Sequence, residues 1–361
     1  MSWHKLQLGD VIRLKRGHDL PSSARIPGEV PIVSSSGVTG FHNVAKVTGP
    51  GVVTGRYGTL GEVHYIEGDY WPLNTALYVE DFKGNHPRYV AYLLMTLELG
   101  TQNAAGAVPG INRNALHQMM VQVPDVAEQI RIASVLSTYD DLIETNRRRI
   151  ALLEESARLL YREWFVQLRF PGHESVLVRD GMPVGWQLKP LADIAPLSYG
   201  KALKASDRKK GEVPVYGSSG IVGTHDAALL DGGAIIVGRK GNVGSLFYSH
   251  VPCFPIDTVF YIAPAQASYW LFLALHQLNF ISSDAAVPGL NRTYAHSLPI
   301  VLPSKEVTTA FERLVQPMFE QSYNLIKQNE QLASVRDALL PQLMSGQLDV
   351  SRLPLPEAVA L

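Results

Sequence analysis

The chain carries one long stretch twice, and that repetition limits every fold it can adopt. Residues 30 to 40 read VPIVSSSGVTG and residues 213 to 223 read VPVYGSSGIVG, while GRYGTLG, Gly55 to Gly61, returns as GRKGNVG, Gly238 to Gly244. Both pairs keep one offset of 183 residues (30 to 213, 55 to 238). The register holds without a gap from Trp3, which falls on Trp186, to Val79, and about a third of the paired positions are identical. A second block, AVPGINRNALHQMMVQVP from Ala107 to Pro124, is answered by AVPGLNRTYAHSLPIVLP at an offset of 179 (107 to 286), so the second copy is four residues shorter between Val79 and Ala107. Self-similarity of this kind means two copies of one structural unit.

Each copy reads as a compact sheet followed by a helix. Leu6, Leu8, Val11 and Leu14 predict short strands or a turn before the loop after Gly17. Val30 to Val33, Val44 to Val47, Val52 to Thr54, Val63 to Ile66 and Ala76 to Val79 are short, β-branched and bounded by Gly, Pro, Asn and Asp, the pattern of strands. Tyr89 to Leu99 has Val90, Leu93, Leu94 and Leu97 on one helical face.

A different periodicity begins at Pro124. Asp125 followed by Glu128 predicts an N-cap with a capping box, a better reading of these carboxylates than a nuclease fragment. Ile132, Leu136, Tyr139, Ile143, Asn146, Ile150, Leu153, Ala157, Leu160 and Trp164 then alternate steps of four and three, a heptad seam. About 40 residues at about 1.5 Å each span about 60 Å, too long and too narrow a stripe for a helix that only covers its own domain. Phe311, Val315, Met318, Leu325, Asn329, Leu332, Leu339 and Leu343 repeat the seam more weakly. Asn329 aligns with Asn146, Ser322 and Arg336 interrupt the stripe, and Pro317 predicts a delayed or kinked start. Such seams are buried most economically against each other. The expected fold is α+β, with two duplicated globular domains joined by two long antiparallel coiled-coil helices about a pseudo-twofold axis. The expected division is 1–124, spacer helix 125–167, 168–303, spacer helix 304–346, and a C-terminal tail 347–361.

Composition excludes several functions. A net charge of −1 is not that of a protein gripping nucleic acid over its whole surface, so any such contact is local or shared with a partner. No apolar run is long enough to span a membrane, and Met1 to Lys15 lacks a signal-peptide pattern, which leaves the cytoplasm as the expected location. One cysteine, Cys253, forms no internal disulfide and no paired-cysteine zinc site, and the eleven histidines lack paired helical spacing for a metal. Neither a phosphate-binding G-x-x-x-x-G-K-[S/T] loop nor a glycine-rich strand-turn-helix for S-adenosylmethionine is present. The chain therefore reads as non-catalytic.

The LGD and RG near the start, VPIVSSSGVTG, GRYGTLG, PLNT at Pro72 to Thr75, AVPGINR, and the helices LIETNRRRIALLEE and LIKQNEQLASVRDALLPQLMSG together resemble the specificity subunits (HsdS family) of type I restriction-modification systems. The resemblance covers the whole chain. It implies that each globular unit is a target recognition domain reading one half of a split site in double-stranded DNA, with the long helices setting the spacing. It also implies two methyltransferase (modification) subunits and restriction/translocase subunits as partners. On this resemblance the chain binds no cofactor itself, S-adenosylmethionine and ATP belonging to the partner subunits. A duplicated protein-interaction scaffold without DNA affinity would share the outline.

Arginine is favoured for DNA contacts because its fork pairs bidentately with guanine or phosphate. The candidates are Arg16, Arg56, Tyr57 and Thr59 in the first copy, and Lys201, Arg239, Lys240 and Asn242 in the second. Further candidates are Ser35, Ser36 and His42 with Ser218, Ser219 and His225, and Asn112 and Arg113 with Asn291 and Arg292. For each there is a plainer alternative: an arginine pairing with a local carboxylate, serines serving a turn, asparagines capping a helix. Ile143, Asn146, Ile150, Leu325, Asn329 and Leu332 are the expected centre of the helical seam. Half-site choice should lie where the copies differ: Tyr57 against Lys240, Thr59 against Asn242, His18 against Lys201, and Pro21 to Gly28 against the more basic Lys204 to Gly211 with Arg208, Lys209 and Lys210. An asymmetric bipartite target follows.

Overall fold

The computed structural model describes residues 3–97, 99–101, 110–281 and 289–353. The Ala-Val-Pro that opens each AVPG block (107–109 and 286–288) and the tail from 354 onward lie outside the described residues. The fold is α+β. The chain divides into two compact units, one of residues 1–145 with 329–361 and one of residues 146–328.

In the first unit, strand Trp3–Gln7 pairs antiparallel with Met120–Pro124, so the beginning and end of the globular part are clasped together. A four-stranded antiparallel sheet runs in the order Arg13–Arg16, Ala76–Asp81, Gly51–Gly55, Val63–Ile66. A three-stranded sheet places Val30–Ser34 between Gly37–His42 and Trp71–Pro72. Helix Pro87–Met95, whose N-terminus is capped by His86, buries Tyr89 through Leu94 against the larger sheet. Val44 to Val47 is not a strand. Only Val47 makes an isolated bridge, to Tyr70, because Val44 is left on the surface with no neighbouring strand to complete a ladder.

The second unit repeats the plan with the same register. Gln187–Pro190 pairs with Pro299–Leu302, the four-stranded order is Ser198–Tyr199, Val259–Ile262, Ala234–Gly238, Leu246–Ser249, and Val213–Gly217 lies between Gly220–His225 and Phe254–Pro255. Helix Tyr269–Leu275 takes the place of Pro87–Met95, its N-cap Ser268 accepting from Leu271 N–H at 3.1 Å. Histidines fix the same joints in both copies. His117 Nε2 accepts the Leu14 N–H at 3.0 Å and His296 Nε2 the Leu197 N–H at 2.8 Å, tying the short helix after the PG turn to the first strand of the larger sheet in the first unit and to the residue just before that strand in the second.

The two long helices are Val126–Tyr161 and Lys305–Met344. Each unit contains part of both, and within each unit they run antiparallel. In the first, the Asn329 amide donates to the Ile143 carbonyl at 3.4 Å, and Arg336 Nη1 donates to Asp140 Oδ1 at 2.6 Å. In the second, Asn146 Nδ2 donates to Gln328 Oε1 at 3.1 Å, and the Tyr161 and Phe311 rings meet edge to face at 6.2 Å. Of the expected seam, Ile143, Asn146 and Leu325 are buried, and Ile150, Asn329 and Leu332 are half-buried. Both interruptions have an answer: Ser322 is buried, and Arg336 is paired with Asp140.

Pro317 does not delay the second helix, which begins at Lys305 and continues past it to Met344. Pro317 faces solvent, while Phe311, Val315 and Phe319 around it are buried in the second core, and that packing outweighs the missing backbone hydrogen bond. Asp125 caps the first helix, accepting from Glu128 N–H at 3.0 Å. The Glu128 carboxylate turns to Arg131, 3.5 Å away, instead of completing a capping box. Ile132 and Leu136 enter the core of the first unit beside Leu343 and Met344, as Val315 and Phe319 enter that of the second beside Tyr161. The segment after the second helix is packed as far as residue 353: Val350 joins the first core and the Leu353 carbonyl accepts from Arg131 at 2.8 Å. Among the described residues no helix is long and apolar enough to cross a membrane, and no group of three or more His, Cys, Asp or Glu could hold a metal ion.

Candidate nucleic-acid interface

The repeated motifs, far apart in sequence, converge on one place in each unit. The GRYG loop follows strand Gly51–Gly55, and its Arg56 and Tyr57 amides both donate to the Thr75 carbonyl of the PLNT segment, at 2.9 and 3.0 Å. The Arg56 carbonyl accepts from Ile111 N–H at 3.0 Å, which draws in the PGINR turn. The RG segment joins through Gly17 and His18, whose amides donate to the Ala76 and Pro72 carbonyls at 3.0 and 2.8 Å. The same bonds occur in the second unit: Arg239 and Lys240 to Thr258, Leu290 to Arg239, Gly200 to Val259 and Lys201 to Pro255. Gly55 and Gly238 make the turn possible, since a Cβ there would lie 1.9 Å from the Thr59 carbonyl oxygen or 2.1 Å from that of Asn242.

The loops bring cations together on an exposed surface. In the first unit Arg16 and Arg113 are exposed, and the half-buried Arg56 lies over the exposed Tyr57 ring, its Cζ 4.4 Å from the centroid. Glu80 is shared by Arg13 and Lys15, and the Lys15 hydrogen bond holds its carboxyl below the usual range. In the second unit Tyr199, about half exposed, lies beside two guanidinium groups, with Arg292 Cζ at 4.8 Å and Arg239 Cζ at 5.3 Å from its ring. Arg239 also donates through Nε to the Asp257 carbonyl at 3.2 Å. Stacked, planar guanidinium groups facing solvent are suited to phosphates and base edges.

Several expected contacts have structural duties. His42 and His225 are buried; each accepts a backbone N–H through Nδ1, from Ile26 at 3.0 Å and Lys209 at 3.1 Å, and each meets an aromatic ring edge-on, Trp71 or Phe254. Asn112 and Asn291 cap the short helices Arg113–His117 and Arg292–Ser297 with their side chains, at 2.9 and 3.0 Å. Ser35 is buried and Ser218 half-buried beneath the GRxG loop, and Ser36 and Ser219 are exposed at the hairpin turn. Thr59, Lys201, Lys240 and Asn242 are exposed. In the Lys204 to Gly211 loop, Arg208 is held by the Val222 carbonyl at 2.6 Å, whereas Lys209 and Lys210 are exposed. Sequence reasoning missed Tyr199 because its role comes from Arg239 and Arg292, far from it in the chain, and nothing local to it shows that contact. It also missed Thr75 and Thr258 as the anchors of the loops, although they are an identical pair.

Comparison with known proteins finds the same two-copy organisation. The profile of the type I restriction modification DNA specificity domain matches residues 1–155 and again 183–316. The chain belongs to this family. It is 25% identical over 303 residues to the type I restriction enzyme MjaIX specificity subunit of Methanocaldococcus jannaschii, covering 73% of this chain and 70% of that one. It is 21% identical over 355 residues to the HindI specificity subunit of Haemophilus influenzae, covering 73% and 77%. The crystal structure of a type I restriction-modification S subunit from M. genitalium superposes with a TM-score of 0.65 at 17% identity, covering 95% of this chain and 96% of that one, and shares the fold.

Proposed function

We propose that this specificity subunit reads a bipartite, asymmetric site in double-stranded DNA, one half through each globular unit, and does no chemistry itself. The observation that supports the reading most is that four segments preserved by the duplication, the RG, PxxT, GRxG and NR motifs, meet in one loop cluster in each unit, around an arginine whose loop is held by three backbone hydrogen bonds and flanked by exposed cations. Keeping that cluster twice is what a two-part site requires: a common phosphate grip, with base choice in the side chains that differ.

The cations are few and local, and the chain as a whole is near neutral, so tight binding needs added contacts. Two methyltransferase subunits supply them in this reading and carry S-adenosylmethionine, while restriction/translocase subunits carry ATP; the assembly works in the cytoplasm. The division into recognition domains (1–124, 168–303), spacer helices (125–167, 304–346) and tail belongs to the same proposal. A gel shift of the chain, alone and with its methyltransferase subunit, on genomic duplex fragments tests it. Sequence-selective retention that strengthens with the partner is expected, and no retention in either form would favour a protein scaffold without DNA affinity.

A further inference from the structure

Around the shared arginine the two units exchange an aromatic residue and a cation. Position 16 of the strand and its partner position 199 occupy the same place in the larger sheet: Arg16 pairs with Leu77 and Tyr199 with Phe260, and 77 and 260 are themselves repeat partners. In the loop, Tyr57 and Lys240 follow the shared arginine and make equivalent bridges, to Gly110 and Gly289. The first unit thus has a cation on the strand and an aromatic in the loop, and the second has the reverse. The exchange itself conserves the cation, Arg16 on the strand against Lys240 in the loop, while the second unit also carries Lys201 opposite His18 and has Ala202 where Asp19 lies 3.5 Å from Arg16.

The exchange has a geometric result. A planar guanidinium is drawn to the face of a neighbouring aromatic ring. Arg56 lies over Tyr57, within its own loop, with Nη2 3.3 Å from the tyrosine hydroxyl. Arg239 instead lies 5.3 Å from Tyr199, on the neighbouring strand, with its Nε turned to the Asp257 carbonyl. The same arginine is therefore turned toward its loop in one unit and toward the sheet in the other.

We propose that this exchange, Arg16 with Tyr57 against Tyr199 with Lys240, makes the two units prefer different bases in their half-sites. The exchange adds no net charge to either unit, so what it changes is where the fork points. The inference rests on the DNA-reading assignment above.

The test is selection from duplexes randomised in both halves, using the chain in complex with its methyltransferase subunit. If the wild-type complex selects no sequence, the DNA-reading assignment fails. If it does select, Tyr199→Arg with Lys240→Tyr should leave the half read by the first unit intact and change or erase the preference in the other. The preferred bases there should lose about five- to 150-fold per altered pair, corresponding to about 1–3 kcal/mol. The slope of affinity against salt should stay the same for the double variant, but steepen by about one for Tyr199→Arg alone and flatten by about one for Lys240→Tyr alone. The reciprocal Arg16→Tyr with Tyr57→Lys should act on the other half only, and serves if the first variant does not fold. Wild-type selection by a folded double variant would overturn the proposal.

Discussion

Replacing Gly55 by alanine tests how the loop holds Arg56. The new methyl carbon would sit 1.9 Å from the Thr59 carbonyl oxygen, far inside contact distance, and the obstacle is backbone, which cannot rotate away like a side-chain tip. The GRYG turn must open, and opening it breaks the register that brings the Arg56 and Tyr57 amides to Thr75 and the Arg56 carbonyl to Ile111. Overpacking of this kind costs about 1–3 kcal/mol of stability. Displacing one arginine fork costs about 1–3 kcal/mol of recognition, or about five- to 150-fold in affinity. Gly68→Ala is the control, because nothing lies within 4 Å of its added carbon. Urea unfolding and fluorescence anisotropy on a specific duplex, with the methyltransferase subunit present, measure both effects. A Gly55→Ala protein that unfolds and binds like Gly68→Ala would refute the close approach and the role assigned to the loop.

Other expectations concern charge, core and protons. Arg56→Ala and Arg239→Ala should each reduce the salt slope of DNA binding by about one while leaving the thermal melt in place; an unchanged slope removes that arginine from the contact set. Phe311→Ala should cost about 3–5 kcal/mol in denaturant unfolding, because this fully buried ring touches Tyr161, Trp164 and Phe165. Leu152→Ala, at a position 67% exposed, should change stability by less than about 0.5 kcal/mol. Burial holds His117 and His296 below the usual histidine value, and each must stay neutral at Nε2 to accept its backbone N–H. Their contribution is present above the ordinary histidine value of 6.5 and is lost as pH falls toward the depressed folded values. Burial lifts the Glu312 carboxyl, which acts in the opposite direction, so thermal melts from neutral to mildly acid pH should drop less steeply in His117→Asn than in the unaltered chain. Equal steepness would exclude His117 as a source of the acid loss.

Much of this architecture was legible in the residues. An ungapped register from Trp3 to Val79 at an offset of 183 demands matching strands in both copies, and Gly17 with Gly200 or Thr75 with Thr258 do stand at equivalent bonds. The seam was readable because burial repeats every three or four positions along the long helices. What escaped depends on contacts distant in sequence. Val44 to Val47 has strand composition but no partner strand, and Pro317 is tolerated because Phe311, Val315 and Phe319 anchor the helix around it. His42 and His225 looked like surface donors because nothing local shows that a backbone amide 16 residues away needs an acceptor. Tyr199 gains its place from Arg239 and Arg292, 40 and 93 positions along the chain, which no local pattern shows.

The central claim is that two similar units read different halves of one site. Sequencing methylated adenines in DNA from cells that express this chain with its methyltransferase subunit tests it directly. The account predicts one bipartite motif with two unlike halves and a fixed spacer, the second half changing when Tyr199 and Lys240 are exchanged for arginine and tyrosine. A perfect palindrome, or methylation unaffected by the presence of this chain, would contradict it.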